Sequence, residues 1–284
     1  MKTASDFGFV KIAACSPKTA VANPEKNAAY LLEAIAEAWE TGAQVIVLPE
    51  LALSSYTAAD LFHQDRLIRG CEEALGRILA ETAGNPAVIA LGMPVRVGDA
   101  LYNCAVIIQS GKILGAVPKE YLPNYQEFYE KRWFAPGSSA LEEEIALCGQ
   151  NVPFGELLFR FGELAMGVEV CEDLWVPIPP SSRLAVSGAN LILNLSASNE
   201  LVAKDAYRKE LISGQSARCI CAYVYASSGL GESTTDLVFG GACTISENGA
   251  ILAEGERFCP EGTMAVACID LDRLMAERRK NGSF

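Results

Sequence analysis

Histidine is nearly absent from this chain: His63 is the only one in 284 residues, set in Asp60-Leu61-Phe62-His63-Gln64. Any Ser-His-Asp or Cys-His arrangement would have to be built on that single imidazole. A lone histidine in such a segment reads as structural or exposed, so a nucleophilic enzyme with this sequence would draw its base from a carboxylate or a lysine. Zinc-site spacing is also missing. There is no C-x-x-C pair, and one histidine cannot complete a usual Cys/His set, so no metal is expected. Positive charge is short: 23 Lys and Arg stand against 35 Asp and Glu, a net −12 that would repel a phosphate backbone. No nucleic-acid partner is expected, and Arg278-Arg279-Lys280 reads as a solvated terminus. No apolar run approaches the roughly 20 residues that span a bilayer. Met1 to Lys11 includes Asp6 and lacks a long apolar stretch, so it does not read as a secretion signal. These absences point to a cytoplasmic protein with no membrane partner.

Hydrophobic residues, by contrast, make up half of the chain and charged ones a fifth, enough for a substantial core. Ten cysteines are mostly scattered singly among apolar residues, which fits reduced core thiols better than a disulfide framework. Cys219-Ile220-Cys221 is the one closely spaced pair and reads as alternating faces at the start of a strand.

Strand and helix patterns alternate along the chain. Phe9 to Ala14 reads as a first strand. Asn23-Pro24-Glu25 supplies an N-cap, a proline at the first helical position and an acidic first turn. Ala28, Leu31, Leu32, Ile35, Ala38 and Trp39 follow at helical spacing as far as Gly42. Val45 to Leu48 is wholly apolar, as in a strand buried on both faces. Leu67 to Thr82 forms a second helix, with Leu67, Cys71, Leu75 and Ile78 on one face. Ala87 to Leu91, Cys104 to Ile108 and Lys112 to Val117 read as strands, the last two joined at Ser110-Gly111. Leu164 to Val170, Leu191 to Leu195 and Ala222 to Ala226 are further strands, with a helix over Lys204 to Cys219. Phe239 to Ser246 and Ala250 to Glu254 flank the turn Glu247-Asn248-Gly249, and Met264 to Asp270 is the last strand. The pattern predicts one α/β domain, with two packed sheets and helices outside.

Three strand ends carry polar groups with no evident structural need. Glu50 follows Val45 to Leu48 and Pro49; Lys119 follows Val117-Pro118; Cys171 follows Met166 to Val170 and precedes Glu172-Asp173-Leu174-Trp175. Ligand sites in α/β proteins gather just past the carboxyl ends of strands. Taken singly, Glu50 reads equally well as a helix cap, Lys119 as a surface charge and Cys171 as core. Together they compose a mechanism. Glu50 would accept the thiol proton and later activate water, while Lys119 would favour the thiolate and hold the oxyanion with the backbone N–H that follows Cys171.

Leu48-Pro49-Glu50-Leu51, Pro118-Lys119 and Gly167-Val168-Glu169-Val170-Cys171-Glu172-Asp173 resemble the three signature segments of the nitrilase superfamily. The resemblance implies a four-layer αββα sandwich of two mixed sheets that associates as a homo-oligomer through an outer face. Within that superfamily, four strings are similar to the glutaminase domains of glutamine-dependent NAD synthetases: Lys119 to Tyr125, Arg132 to Gly137, Asn194 to Ser198 and Gly231 to Val238.

That likeness implies hydrolysis of glutamine to glutamate and ammonia, with Cys171 as nucleophile, Glu50 as base and Lys119 as oxyanion stabiliser. Glu130 would be the second glutamate bracing the lysine, with Glu127 as the competing choice. Tyr125, Glu172, Trp175, Ser198 and Lys204 would surround the two ends of glutamine; Lys204 stands where some relatives place an arginine. Packing for Tyr125 and Trp175, and a helix-surface charge for Lys204, are the plainer alternatives. The amidase reaction would need no cofactor. ATP and magnesium would belong to a synthetase domain that nothing in these residues resembles, so residues 1–270 are expected to be the glutaminase domain and 271–284 a tail or the start of a linker. Other readings are a free-standing amidase for another small amide and a non-catalytic interaction module.

Overall fold

The computed structural model describes residues 8–284. Residues 1–7, part of the segment weighed above as a secretion signal, lie outside the described residues. In chain order the elements are β1 (Phe9–Ser16), α1 (Pro24–Glu40), β2 (Val45–Val47), α2 (Asp65–Glu81), β3 (Val88–Val97), β4 (Ala100–Gln109) and β5 (Lys112–Pro118). A small hairpin of β6 (Glu144–Leu147) and β7 (Gln150–Pro153) follows. The second half holds β8 (Leu158–Phe161), β9 (Leu164–Val170), α3 (Pro180–Val186), β10 (Leu191–Ser196), α4 (Lys204–Arg218), β11 (Ala222–Ser227), β12 (Cys243–Glu247), β13 (Ala250–Glu254), β14 (Thr263–Asp270) and α5 (Leu271–Lys280).

Two six-stranded sheets result, ordered β14-β1-β2-β3-β4-β5 and β13-β12-β11-β10-β9-β8. Each has three parallel strands at its centre, β1, β2 and β3 in one and β9, β10 and β11 in the other, with antiparallel strands outside them. Parallel neighbours require crossovers, and α1, α2, α3 and α4 supply them.

Side-chain alternation then divides the interior into three layers. Ile12, Ala14, Val45, Val47 and Val88 of the first sheet meet Met166, Val168, Leu191, Leu193 and Val224 of the second. The alternate residues Ala13, Cys15, Ile46 and Ile89 pack instead beneath α1 and α2, with Leu31, Ile35, Leu75 and Ile78. Ile192, Tyr223 and Tyr225 face Leu184 and Ile212 of α3 and α4. The expected αββα sandwich is the observed one. Each fully buried aliphatic side chain in these layers stabilises by about 1.5–3 kcal/mol.

Several local expectations change. Asn23 caps α1 through Lys26 N–H as predicted, but Trp39 lies on its exposed side rather than on the buried face. β3 and β4 run ten residues each, β3 continuing through Met93-Pro94-Val95, because their turn lies at Gly98-Asp99 and not earlier. Phe239 to Ala242 lies outside the strand, which starts at Cys243; Gly241 N–H bonds Ser228 C=O and Asn199 bridges Phe239. Cys219 and Cys221 flank the end of α4, where Ile220 takes a positive φ of 41°, so neither belongs to a strand. Residues 271–280, read as tail or linker, form α5, with Leu271 and Leu274 buried.

Candidate active site

β2 ends at Val47, and Leu48-Pro49 carries the chain to Glu50 beside the carboxyl end of β10, a central strand of the second sheet, where Glu50 N–H bonds Ser196 C=O at 3.2 Å. Gly92 makes this turn possible. A Cβ there would stand 2.3 Å from Leu51 N and 2.5 Å from Pro49 O. Lys119 leaves the end of β5, its N–H bonded to Asn103 C=O at 2.8 Å. Glu130 comes from a single 3-10 turn over Glu130–Arg132. These three side chains converge inside the protein.

Lys119 Nζ lies 2.7 Å from both Glu50 Oε1 and Glu130 Oε1, and all three side chains are cut off from solvent. Asn103 Nδ2 donates to Glu50 Oε1 at 2.6 Å, and Tyr56 O–H donates to Glu130 Oε1 at 2.8 Å. Glu50 Oε2 and Glu130 Oε2 are buried with no hydrogen-bond partner among the described residues. Glu50 therefore keeps one oxygen for the lysine and has another open to a proton. Burial opposes the charge on Lys119, but Glu130 and Glu50 outweigh it and hold the ammonium well above its usual range. Burial pushes the Glu130 carboxyl up to about 7; Lys119 opposes this and Glu50 adds to it. Glu127 is not part of the array: its carboxylate accepts from Asn199 Nδ2.

Cys171 stands where β9 stops and a 3-10 turn over Cys171–Leu174 begins. Its φ of 48° lies in the left-handed region, which costs a non-glycine residue about 1–2 kcal/mol. Asp173 secures the turn: its Oδ2 accepts from Val170 N–H and its Oδ1 from Tyr121 N–H, both at 2.9 Å, joining it to the loop after Lys119. The charges of Glu50, Lys119 and Glu130 all act on the Cys171 sulfur. Burial pushes the thiol up, Glu50 adds to that, and Lys119 opposes without reversing it. Burial and Glu50 thus work against the thiolate that Lys119 favours.

A cavity of about 380 Å³ opens beside Cys171, and Tyr125, Glu172, Trp175, Ser198 and Lys204 all line it. Tyr125 O–H donates to Glu172 Oε1 at 2.8 Å, and burial raises that carboxyl. Lys204, the first residue of α4, bonds Asn199 Oδ1 and stands 5.0 Å from the centre of the Trp175 ring. It is a cavity-wall cation and not a helix-surface charge. His63 is exposed.

Residues with no role in the sequence reading complete the surroundings. Tyr56, Asn103 and Asp173 brace the array, and Glu232 of the Gly231 to Val238 string accepts from Tyr56 N–H at 2.8 Å and Thr57 N–H at 3.0 Å. Only Glu232 and Asp173 carried a signal, since both fall within strings singled out by resemblance.

The carbon-nitrogen hydrolase family matches residues 11–279. Over 287 residues the chain is 44% identical to the glutamine-dependent NAD(+) synthetase of Mycobacterium tuberculosis, covering 99% of this chain and 42% of that relative. The chain thus spans about two-fifths of the length of the curated relatives it matches. Among solved structures, the glutamine-dependent NAD(+) synthetase of Cytophaga hutchinsonii aligns with a TM-score of 0.80 at 27% identity, over 92% of this chain and 43% of that one. A nitrilase-superfamily amidase from Nesterenkonia AN1 aligns with a TM-score of 0.75 at 20% identity over 96% of both chains, a likeness of fold. From its first strand to its last helix, this chain belongs to the carbon-nitrogen hydrolase family.

Proposed function

We propose that the chain hydrolyses the side-chain amide of glutamine to glutamate and ammonia through a thioester on Cys171, as the ammonia-supplying domain of a glutamine-dependent NAD synthetase. The observation that carries this reading is the shared cavity. It places one thiol, an acidic group and a basic group within the reach of one small zwitterion, beside the buried Glu50–Lys119–Glu130 array.

Glutamine enters with its α-ammonium toward Glu172 and Tyr125 and its α-carboxylate toward Lys204. Glu50 Oε2 takes the proton from Cys171 Sγ as the sulfur attacks the amide carbon, so the thiolate forms only as it is used. Lys119 and the backbone N–H after Cys171 hold the resulting oxyanion; one such donor is worth about 10²–10³ in rate. Glu50 then passes its proton to the amide nitrogen, the C–N bond breaks and ammonia departs. Water loses a proton to Glu50 and attacks the thioester. Collapse of that second intermediate expels the sulfur, which recovers the proton, and glutamate is released. ATP and magnesium would serve the synthetase domain and take no part in these transfers. Ten free thiols suit a reducing cytoplasm.

The test is ammonia release from glutamine, assayed beside asparagine, other ω-amides, carbamoyl compounds and nitriles. The expected result is a preference for glutamine that disappears in Cys171→Ala, together with a single adduct on Cys171 from a glutamine-like electrophile. Faster turnover of another amide would make the chain a different amidase. Unlabelled Cys171 with no turnover would make it an interaction module.

A further inference from the structure

We infer that Asn194 is a positioning residue for the Cys171 nucleophile, gripping both backbone groups of that residue and holding its sulfur toward the cavity. The inference rests on the role proposed for Cys171. Cys171 sits next to an extended Val170 and takes a left-handed φ, a conformation that needs support from outside the turn. Asn194 lies in the adjacent strand β10, 23 residues away in sequence, and supplies that support. Its Oδ1 accepts from Cys171 N–H at 3.2 Å, and its Nδ2 faces Cys171 C=O at 3.5 Å.

A side-chain amide can grip in this way only if it is held the right way round. A buried relay sets its orientation. The Glu169 carboxylate accepts Ser181 N–H at one oxygen, at 2.8 Å, and the Tyr223 hydroxyl at the other. Having donated to the carboxylate, the Tyr223 oxygen can only accept, and it accepts from Asn194 Nδ2 at 3.0 Å. Oδ1 is thereby turned toward Cys171, and Ser196 O–H donates to it at 2.7 Å. Glu169, Asn194, Ser196 and Tyr223 are all buried, so no solvent molecule competes for these bonds. None of the four lines the cavity. Two consequences follow for the reaction. The N–H of Cys171 is already engaged, so the oxyanion must take the next one along. The substrate contacts are also independent of the clamp.

The experiment compares the whole chain with its Asn194→Ala and Tyr223→Phe variants, reading chloroacetamide labelling of Cys171 against the exposed thiol Cys268 by mass spectrometry. The Cys171-to-Cys268 labelling ratio should fall at least tenfold in both variants, with the pH midpoint of Cys171 labelling unchanged because no charge is removed. With glutamine, kcat should fall by the same factor and KM stay within twofold. Tyr223→Phe retains the shape of the core and decides the matter should Asn194→Ala not fold. An unchanged labelling ratio in a folded variant overturns the inference, as does a loss confined to KM. Should Cys171→Ala release ammonia from glutamine as fast as the wild-type chain, the nucleophile assignment itself fails, an outcome read without the Asn194 and Tyr223 variants.

Discussion

Lys119 Nζ and Glu130 Oε1 stand 2.7 Å apart, and neither side chain reaches solvent. Breaking one arm of such a pair leaves charge buried without its full complement. Glu130→Ala is therefore expected to destabilise the chain by about 3 kcal/mol and to lower kcat by roughly 10²-fold. Urea denaturation and ammonia release measure the two effects. A change below about 1 kcal/mol would show that Glu50 alone satisfies the lysine.

The same carboxyl sets a pH limit. With its carboxyl pushed up to about 7, Glu130 is ionised above that pH and neutral below it. Activity should accordingly fall as pH drops through about 7, and Glu130→Gln should remove that limb by fixing the neutral form. Stability should move the other way for this group. The folded chain holds the proton more tightly than the unfolded one, so the contribution of Glu130 favours folding at low pH and declines as pH rises through about 7. Paired profiles of kcat and of the denaturation midpoint would separate the two trends.

Cys171 offers a second pH test. Because burial and Glu50 push its thiol up, alkylation at Cys171 should climb through the alkaline range without a thiolate plateau at neutral pH. Site-resolved labelling across pH is the measurement. A neutral plateau would mean that Lys119 dominates the sulfur after all.

Gly92→Ala tests the turn that presents Glu50. The added carbon would stand 2.3 Å from one backbone atom and 2.5 Å from another, so the Pro49–Leu51 segment must shift. A loss of about 1–3 kcal/mol is expected, with kcat falling further than the small change in stability would suggest. Wild-type kcat in the variant would mean that Glu50 need not be held where it is.

Glu172→Gln addresses substrate recognition. Exchanging a charged for a neutral hydrogen bond to an ammonium removes about 1.5–3 kcal/mol of binding, which is roughly 10- to 100-fold in KM for glutamine. The kcat value should change far less. An equal loss in both would place Glu172 in the chemical step.

Glu50, Lys119 and Cys171 were legible because each interrupts a run of apolar residues at a strand end, a pattern visible in one dimension. The five cavity residues became legible only through resemblance, since nothing in the periodicity of Tyr125 or Trp175 separates a cavity wall from a core. Tyr56 and Asn103 could not be read at all, and Asn194 only as the start of a string singled out by resemblance, with no role attached. They act across 74, 53 and 23 residues respectively, and each looks like an ordinary strand or turn residue locally. The sequence displays Lys119 as one positive charge but does not show how closely Glu50 and Glu130 share its buried space.

The array draws Glu50 and Lys119 from the ends of strands in one sheet and Cys171 from the end of a strand in the other, with Glu50 N–H on Ser196 and Tyr121 N–H on Asp173 stitching across. Neither sheet alone brings these three side chains together. On the function proposed for them, the chemistry is a gauge of how well the two sheets are seated against each other. Pressure, cold or a distant core substitution that loosens their contact should silence the sulfur while both sheets still give their full circular dichroism.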